Sequence, residues 1–301
     1  MPMRPVSQRK SGPRVRIFRT EKSGSMPIAL IVSLLLIPAA AFAEIVTLEN
    51  GDRLSWDGCY YDFRAADGVK MIKMWIPPDT KPVRGVFISG HGGCSGDSRN
   101  FARDENVRAF AMRLGFAVAG LHNFPGRRAY SDGAKVFFYA LDEFAKMGHH
   151  PEIAHLPFVM YGSSNGGATA YGFVNYAPER AICFVANVSA GYVPAEPVAE
   201  ALKVPGIFII GKFDALIGRR GIDRTEALID KVRPLGALWS WALELKGHED
   251  GVSFDVYMKL VEQAVAARYS ENADPAKEKS SSHPCSKKRV GWPTRTAGAA
   301  D

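Results

Sequence analysis

A serine between two closely spaced glycines constrains the fold of this chain more than any other feature of its sequence. The segment Met160–Gly167 reads Met-Tyr-Gly-Ser-Ser-Asn-Gly-Gly. It follows an apolar run, Leu156–Tyr161, that predicts a buried strand, and it precedes Ala168–Tyr176, which predicts a helix. The pattern G-x-S-x-G between a strand and a helix is typical of a turn so sharp that it exposes a serine hydroxyl at the end of a sheet.

The spacing of the glycines decides between the two adjacent serines. The residues two before and two after the exposed serine must be small, because a side chain there would contact the neighbouring strand or helix. Ser164 has glycine at both positions, whereas Ser163 would have tyrosine and asparagine. We therefore predict that Ser164 is the nucleophile. Taken alone, the motif also fits a glycine-rich turn with a surface serine, so the rest of the chain has to supply partners for it.

Signals for strands and helices alternate along the rest of the chain. The predicted strands are Cys59–Arg64, Val69–Trp75, Arg84–Ser89, Phe116–Gly120, Leu156–Tyr161, Ala181–Val188, Gly206–Ile210 and Leu238–Leu245. The predicted helices are Phe101–Leu114, Lys135–Met147, Ala168–Tyr176, Arg224–Val232 and Phe254–Tyr269. This alternation predicts an α/β fold with a mainly parallel, twisted sheet and helices on both of its faces.

His248 is the predicted partner of the serine. A serine hydroxyl is a weak nucleophile at neutral pH, so it needs a base and a group that orients the base. His248 follows the predicted strand Leu238–Leu245 and precedes the last helix, where a loop can place an imidazole above the serine. The only other histidine beyond Ser164 is His283, which lies in the C-terminal tail.

The acid that orients the histidine is expected on a loop after the penultimate strand. Asp214 occupies this position, because it closely follows the predicted strand Gly206–Ile210. It would accept a hydrogen bond from one ring nitrogen of His248 and leave the other nitrogen facing the serine. Asp223 and Glu196 are the alternatives.

Two backbone N–H groups are expected to bind the negative charge that develops on a carbonyl oxygen during the reaction. One belongs to Asn165, the residue after the nucleophile, at the start of a helix whose dipole favours negative charge. The other is predicted in the glycine-rich loop over residues 90–96, which follows the early strand Arg84–Ser89. Gly93 is the favoured donor and Cys94 is the alternative. The competing interpretation of this loop is an ordinary strand-to-helix connection.

In this order along the chain, these residues resemble the α/β-hydrolase superfamily. The resemblance extends over about Cys59 to Tyr269 and is carried by the following residues: His91-Gly92-Gly93, Gly162, Ser164, Gly166, Gly167, Asp214 and His248. The doubled glycine and the short insertions are similar to secreted esterases of the polyhydroxybutyrate-depolymerase-like and feruloyl-esterase-like kinds. Prolyl-oligopeptidase-type peptidases share the same set.

The resemblance implies a serine hydrolase that acts on a small-molecule carboxylic ester and needs no metal and no organic cofactor. A peptidase, an amidase or an acyltransferase could use the same three side chains, and these activities are the alternatives. A non-catalytic periplasmic binding protein on the same scaffold is the alternative from another class. Substrate and oligomeric state stay open at this point.

The basic charge of the chain is concentrated at its beginning. The net charge is +7, and residues 1–25 alone carry +6, so the rest of the chain gives little support to nucleic-acid binding. An apolar run, Ile28–Ile37, and the small-residue site Ala41-Phe42-Ala43 follow, as in a secretory signal. We expect cleavage after Ala43, export to the periplasm or the exterior, and no integral membrane span thereafter. An uncleaved N-terminal anchor is the alternative.

The chain is thus predicted to have three parts. They are a signal segment over residues 1–43, a single α/β-hydrolase domain over 44–270, and a flexible tail over 271–301, whose apolar content is too low to offset the entropy of ordering. Four cysteines allow three full disulfide pairings, and the sequence does not choose among them: Cys59, Cys94, Cys183 and Cys285. Cys183 lies in an apolar strand and is predicted to be a buried thiol. No cysteine or histidine spacing indicates a structural metal.

Overall fold

The computed structural model describes residues 43–90, 96–124, 130–189, 196–248 and 254–269. The strands in these ranges are β1 (Glu44–Thr47), β2 (Arg53–Trp56), β3 (Tyr60–Arg64), β4 (Met71–Trp75), β5 (Gly85–Gly90), β6 (Phe116–His122), β7 (Phe158–Ser163), β8 (Ala181–Asn187), β9 (Gly206–Gly211) and β10 (Trp239–Glu244). The α-helices are α1 (Glu105–Leu114), α2 (Tyr130–Lys146), α3 (Asn165–Tyr176), α4 (Gly218–Val232) and α5 (Phe254–Arg268).

The strands form one sheet in the order β1-β2-β3-β4-β6-β5-β7-β8-β9-β10. Pairing is parallel from β6 through β10, whereas β1 to β4 pair antiparallel, and β4 is antiparallel to β6. Every residue of β5 and β8 is buried, as expected for parallel strands covered on both faces. The mainly parallel sheet predicted from the sequence is therefore confirmed.

Helices cover both faces of the sheet, as predicted. Successive residues of a strand point to opposite faces, so Val86 and Ile88 pack on one side and Phe87 on the other. The first face packs against α2, α3 and α4, through residues such as Phe137 and Phe173. The second face packs against α1 and α5, through residues such as Phe110, Val261 and Val265. The sheet thus lies between two hydrophobic cores.

The chain crosses the centre of the sheet between β6 and β7. From β5 it passes through α1 to β6 on one side of β5, and then through α2 to β7 on the other side. The connections after β5 and β7 therefore leave the sheet in opposite directions. In open α/β sheets, ligands bind at the carboxyl ends of the strands at such a point.

Some predicted boundaries differ from those of the structure. The helix predicted over Phe101–Leu114 is two elements, a 3-10 helix at Arg99–Arg103 and α1. Asp104 separates them because its backbone is extended and its side chain accepts a hydrogen bond from Val107 N, which caps α1. Helix α4 begins at Gly218, earlier than predicted, and β1 and β2 were not predicted at all.

The two described cysteines are free thiols. Cys183 is fully buried, as predicted, and burial raises the pKa of its thiol. Cys59 is half-buried, while Cys94 and Cys285 lie outside the described residues. The predicted signal segment, up to residue 42, and the predicted tail also lie outside them. Across the described ranges, no helix combines the length and the apolar character needed to cross a bilayer.

Candidate active site

A sharp turn places Ser164 between the last residue of β7 and the first residue of α3. Its backbone has φ 52° and ψ −122°, a strained conformation for a residue other than glycine. A Cβ atom on Gly162 would lie 1.9 Å from the carbonyl oxygen of Gly166, so only glycine fits there. The steric requirement inferred from the spacing of the glycines is therefore present at the position two residues before Ser164.

The turn is held from the neighbouring strand. The backbone N–H of Ser164 donates to the carbonyl oxygen of Asn187, the last residue of β8, at 2.8 Å. The next residue, Val188, also has a positive φ, 42°, which is rare for a β-branched side chain. Strained backbone persists where the surrounding structure determines it, and such residues cluster at functional sites. Two strained residues adjoin each other here, at the carboxyl ends of β7 and β8.

The structure brings the three side chains predicted from the sequence into one hydrogen-bonded series. His248 Nε2 lies 2.9 Å from Ser164 Oγ, and His248 Nδ1 lies 2.7 Å from Asp214 Oδ2. A carboxylate only accepts hydrogen bonds, so Nδ1 carries the imidazole proton and Nε2 accepts the hydroxyl proton of the serine. This arrangement can withdraw a proton from the hydroxyl as the oxygen attacks a substrate.

Asp214 is fixed on both of its oxygens. Besides the bond from Oδ2 to His248, Oδ1 accepts the backbone N–H groups of Leu216 at 2.9 Å and of Ile217 at 3.0 Å. The carboxylate is fully buried, and 12% of the His248 side chain is exposed. The solvent-shielded acid can orient the ring while one edge of the ring stays accessible.

The loops that carry the acid and the histidine contact each other directly. Lys212 N donates to Glu244 O at 2.7 Å, and Phe213 N donates to Lys246 O at 2.9 Å, so the chain beyond β9 continues the pairing with the chain beyond β10. A Cβ atom on Gly211 would lie 2.6 Å from Lys246 O, which requires glycine at this close approach. Parallel pairing of β9 and β10 therefore places Asp214 beside His248.

The alternative acids do not contact His248. Asp223 lies on α4, is largely exposed and pairs with Arg219 at 3.6 Å. Glu196 is also exposed and pairs with Lys231. The other histidine of the C-terminal part, His283, lies outside the described residues.

Of the two predicted oxyanion donors, the structure describes one. Asn165 is buried and begins α3, so its backbone N–H lies in the first helical turn, where the helix dipole favours negative charge. Gly93 and its alternative Cys94 lie outside the described residues. The second donor therefore stays a prediction.

Sequence reasoning missed two polar residues next to the candidate site. Asn187 and Lys246 are both buried, and Lys246 Nζ donates to Asn187 Oδ1 at 3.1 Å. Their positions carried a signal, because an asparagine ends a strand of otherwise apolar residues and a lysine stands two residues before the histidine. Within the described part of the chain, no three side chains of the kinds that bind metals lie close enough to hold an ion.

No protein-family model matches the sequence, and no curated protein matches it. Solved structures of similar fold include a thermostable esterase at 14% identity, with a TM-score of 0.46, over 68% of this chain and 59% of that one. A ferulic acid esterase is 13% identical over 74% of this chain and 95% of that one, with a TM-score of 0.48. FphF, a fluorophosphonate-binding serine hydrolase of Staphylococcus aureus, is 11% identical over 74% and 97%, also at 0.48.

These TM-scores are below 0.5, so the fold is identified from the strand order of the sheet and from the positions of the site residues. The sheet is mainly parallel with an antiparallel beginning, and the chain crosses its centre between β6 and β7. A serine on a strained turn follows β7, an acid follows β9, and a histidine follows β10. This chain order of serine, acid and histidine is that of α/β-hydrolases. The chain therefore has the α/β-hydrolase fold, and the candidate site lies at the carboxyl edge of its sheet.

Proposed function

We propose that the protein is a serine hydrolase that cleaves carboxylic esters through an acyl-enzyme on Ser164. The observation that carries the proposal is the hydrogen-bonded series from Ser164 Oγ to His248, at 2.9 Å, and from His248 to the buried Asp214, at 2.7 Å. Nucleophile, base and orienting acid come from three separate loops, and each has the contacts that its role requires.

The reaction begins when His248 Nε2 takes the proton of Ser164 while Oγ attacks the carbonyl carbon of the ester. The imidazolium that forms is stabilised by the Asp214 carboxylate. It then protonates the leaving alcohol oxygen, the ester C–O bond breaks, and the acyl group stays on Ser164. Water repeats the sequence, with His248 as its base, and releases the acid.

The developing oxyanion would be bound by the backbone N–H of Asn165 and by a second N–H from Gly93, with Cys94 as the alternative. The position of Asn165 at the start of α3 supports the first assignment. Loss of one such donor typically lowers the rate by about 10²–10³-fold. All of the groups in this scheme are side chains and backbone amides, so the proposal includes no cofactor.

Esters are the preferred bond class in this proposal because the sequence resembles secreted esterases. An amide differs mainly in its leaving group, which needs fuller protonation before the C–N bond breaks. Paired p-nitrophenyl ester and aminoacyl-p-nitroanilide substrates separate the two activities. Faster turnover of the anilide would make the protein a peptidase or an amidase.

Ser164→Ala tests the proposal. In this variant, turnover of p-nitrophenyl acetate and labelling by a fluorophosphonate should both disappear, because the nucleophilic oxygen is gone. The matched control is Ser240→Ala, at an exposed serine of β10, which should behave as the wild type. Mass spectrometry of labelled peptides distinguishes Ser164 from its neighbour Ser163. Undiminished turnover in Ser164→Ala, or a label on another serine, would contradict the assignment.

A further inference from the structure

Lys246 is a buried charged residue that the proposed reaction does not use. Only 8% of it is exposed, although it stands two residues before His248. Its Nζ lies 2.9 Å from Glu244 Oε2 and donates to Asn187 Oδ1 at 3.1 Å. Burying an ammonium group is costly unless the charge is paired and hydrogen-bonded, and here both conditions are met.

Asn187 connects this ammonium group to the turn that carries the nucleophile. It is 2% exposed, and its Nδ2 donates to Ser163 Oγ at 3.3 Å. Its backbone carbonyl accepts the N–H of Ser164 at 2.8 Å. The main-chain carbonyl of Asn187 therefore binds Ser164, and the side chain of Asn187 binds Ser163.

The main chain of Lys246 connects to the loop that carries the acid. Its carbonyl oxygen accepts the N–H of Phe213, the residue before Asp214, at 2.9 Å. The same residue thus contacts the acid loop through its backbone and the nucleophile turn through its ammonium group, by way of Asn187. Two residues further along, the chain reaches His248.

We propose that Lys246 is a positioning residue that acts through Asn187. It holds the turn that carries Ser164, the loop that carries Asp214 and the loop that carries His248 in one arrangement. The inference rests on the proposed function for its kinetic consequence and on the hydrogen bonds above for its structural one. A hydrogen bond from a charged donor is stronger than one between neutral groups, so the lysine fixes Asn187 more firmly than a neutral residue would. A displacement of about 1 Å at reacting groups can lower a rate by about 10²-fold.

The kinetic test compares Lys246→Met with Lys73→Met in the full-length protein. Lys73 is a good control because it is a largely buried lysine paired with a carboxylate, Asp62, at 2.5 Å, in the antiparallel part of the sheet. Both variants should lower Tm. At a temperature well below Tm, Lys246→Met should lower kcat for p-nitrophenyl acetate and the rate of fluorophosphonate labelling by about 10–100-fold, with KM within about twofold. Lys73→Met should leave these rates unchanged.

Two further variants test whether the effect passes through Asn187. In a double-mutant cycle, Lys246→Met with Asn187→Leu should be no slower than the slower single variant, because both break the same link. Rate losses that multiply would contradict this route. If Lys246→Met does not fold, the double variant Lys246→Met/Glu244→Gln, which leaves no unpaired charge, replaces it and should show the same rate loss.

Hydrogen exchange measured by mass spectrometry provides a readout that does not need activity. Lys246→Met should accelerate amide exchange in residues 158–165 and 206–217, which are distant from residue 246 in sequence, whereas Lys73→Met should not. If the wild type is not labelled by the probe, the proposed function fails, and the exchange comparison alone decides the inference. If Lys246→Met matches Lys73→Met in both rates and exchange, Lys246 only stabilises the fold and the inference is wrong.

Discussion

At the scale of single residues, the candidate site depends on how firmly the Asp214 carboxylate is held. One oxygen binds His248, and the other accepts the backbone N–H groups of Leu216 and Ile217. Because both oxygens are engaged and the group is buried, the carboxylate has a single orientation. That orientation determines which ring nitrogen of His248 carries the proton, and so which nitrogen faces Ser164.

Asp214→Asn should lower kcat for p-nitrophenyl acetate by about 10⁴-fold, because an amide group facing Nδ1 favours the wrong imidazole tautomer. The fold should survive, since the remaining oxygen can still accept the two backbone N–H groups. Asp223→Asn is the matched control, because Asp223 is exposed and pairs with Arg219 rather than with His248. Equal activity of the two variants would remove Asp214 from the mechanism.

The role of a single residue could be predicted where the sequence offers few residues of the required type. Beyond Ser164 there are two histidines, and only His248 lies between a strand and a helix, so His248 could be selected from the sequence. Asn187 and Lys246 could not be selected in this way. Their contact depends on the side-by-side positions of β8, β9 and β10, and neither residue type signals such a contact by itself.

At the scale of elements, the connection between β7 and α3 imposes the strictest steric condition in the described part of the site. It brings the carbonyl oxygen of Gly166 to within 1.9 Å of where a Cβ on Gly162 would stand. This condition follows from the turn itself, so it could be deduced from the motif. Helix and strand ends were less predictable, as at Asp104, where a side-chain cap interrupts a continuous apolar pattern.

Gly162→Ala should reduce the free energy of unfolding by about 1–3 kcal/mol or more, because the added methyl group forces the turn to shift. Gly133→Ala is the control. Gly133 lies in α2, where a Cβ would be 3.4 Å from the Phe124 ring, and alanine there should be neutral or stabilising by up to about 1 kcal/mol. Urea titration followed by circular dichroism measures both. Equal stability of the two variants would contradict the steric argument.

At the scale of the whole molecule, the sequence predicted the fold class but not the arrangement of the strands. Alternating elements indicate a parallel sheet, yet the order of β6, β5 and β7 depends on which side of β5 each helix crosses. The opening strands β1 and β2 were missed because they are short and lie at the exposed end of the sheet, where an alternating apolar pattern is not required.

Export is a proposal about the whole chain, and the position of the first strand bears on where the chain could be cleaved. Strand β1 begins at Glu44, the residue after the proposed cleavage site, so processing there would leave the sheet intact. In a bacterial host, the mature protein should begin at Glu44 by N-terminal sequencing. Ala43→Arg should block processing, because the site needs small residues, and Phe42→Leu should be processed normally. Retention of the full precursor in the membrane fraction would favour an uncleaved anchor.

The distance along the chain between nucleophile and base, 84 residues, has a consequence for how the protein is made. Until the last strand has joined the edge of the sheet, the hydroxyl at position 164 is an ordinary alcohol with nothing to accept its proton. Under the proposed function, a newly synthesised chain would acquire its reactivity only on completing its tertiary structure. If the proposed export takes place with the precursor unfolded, esters in the compartment of synthesis would never meet the active form of the proposed hydrolase.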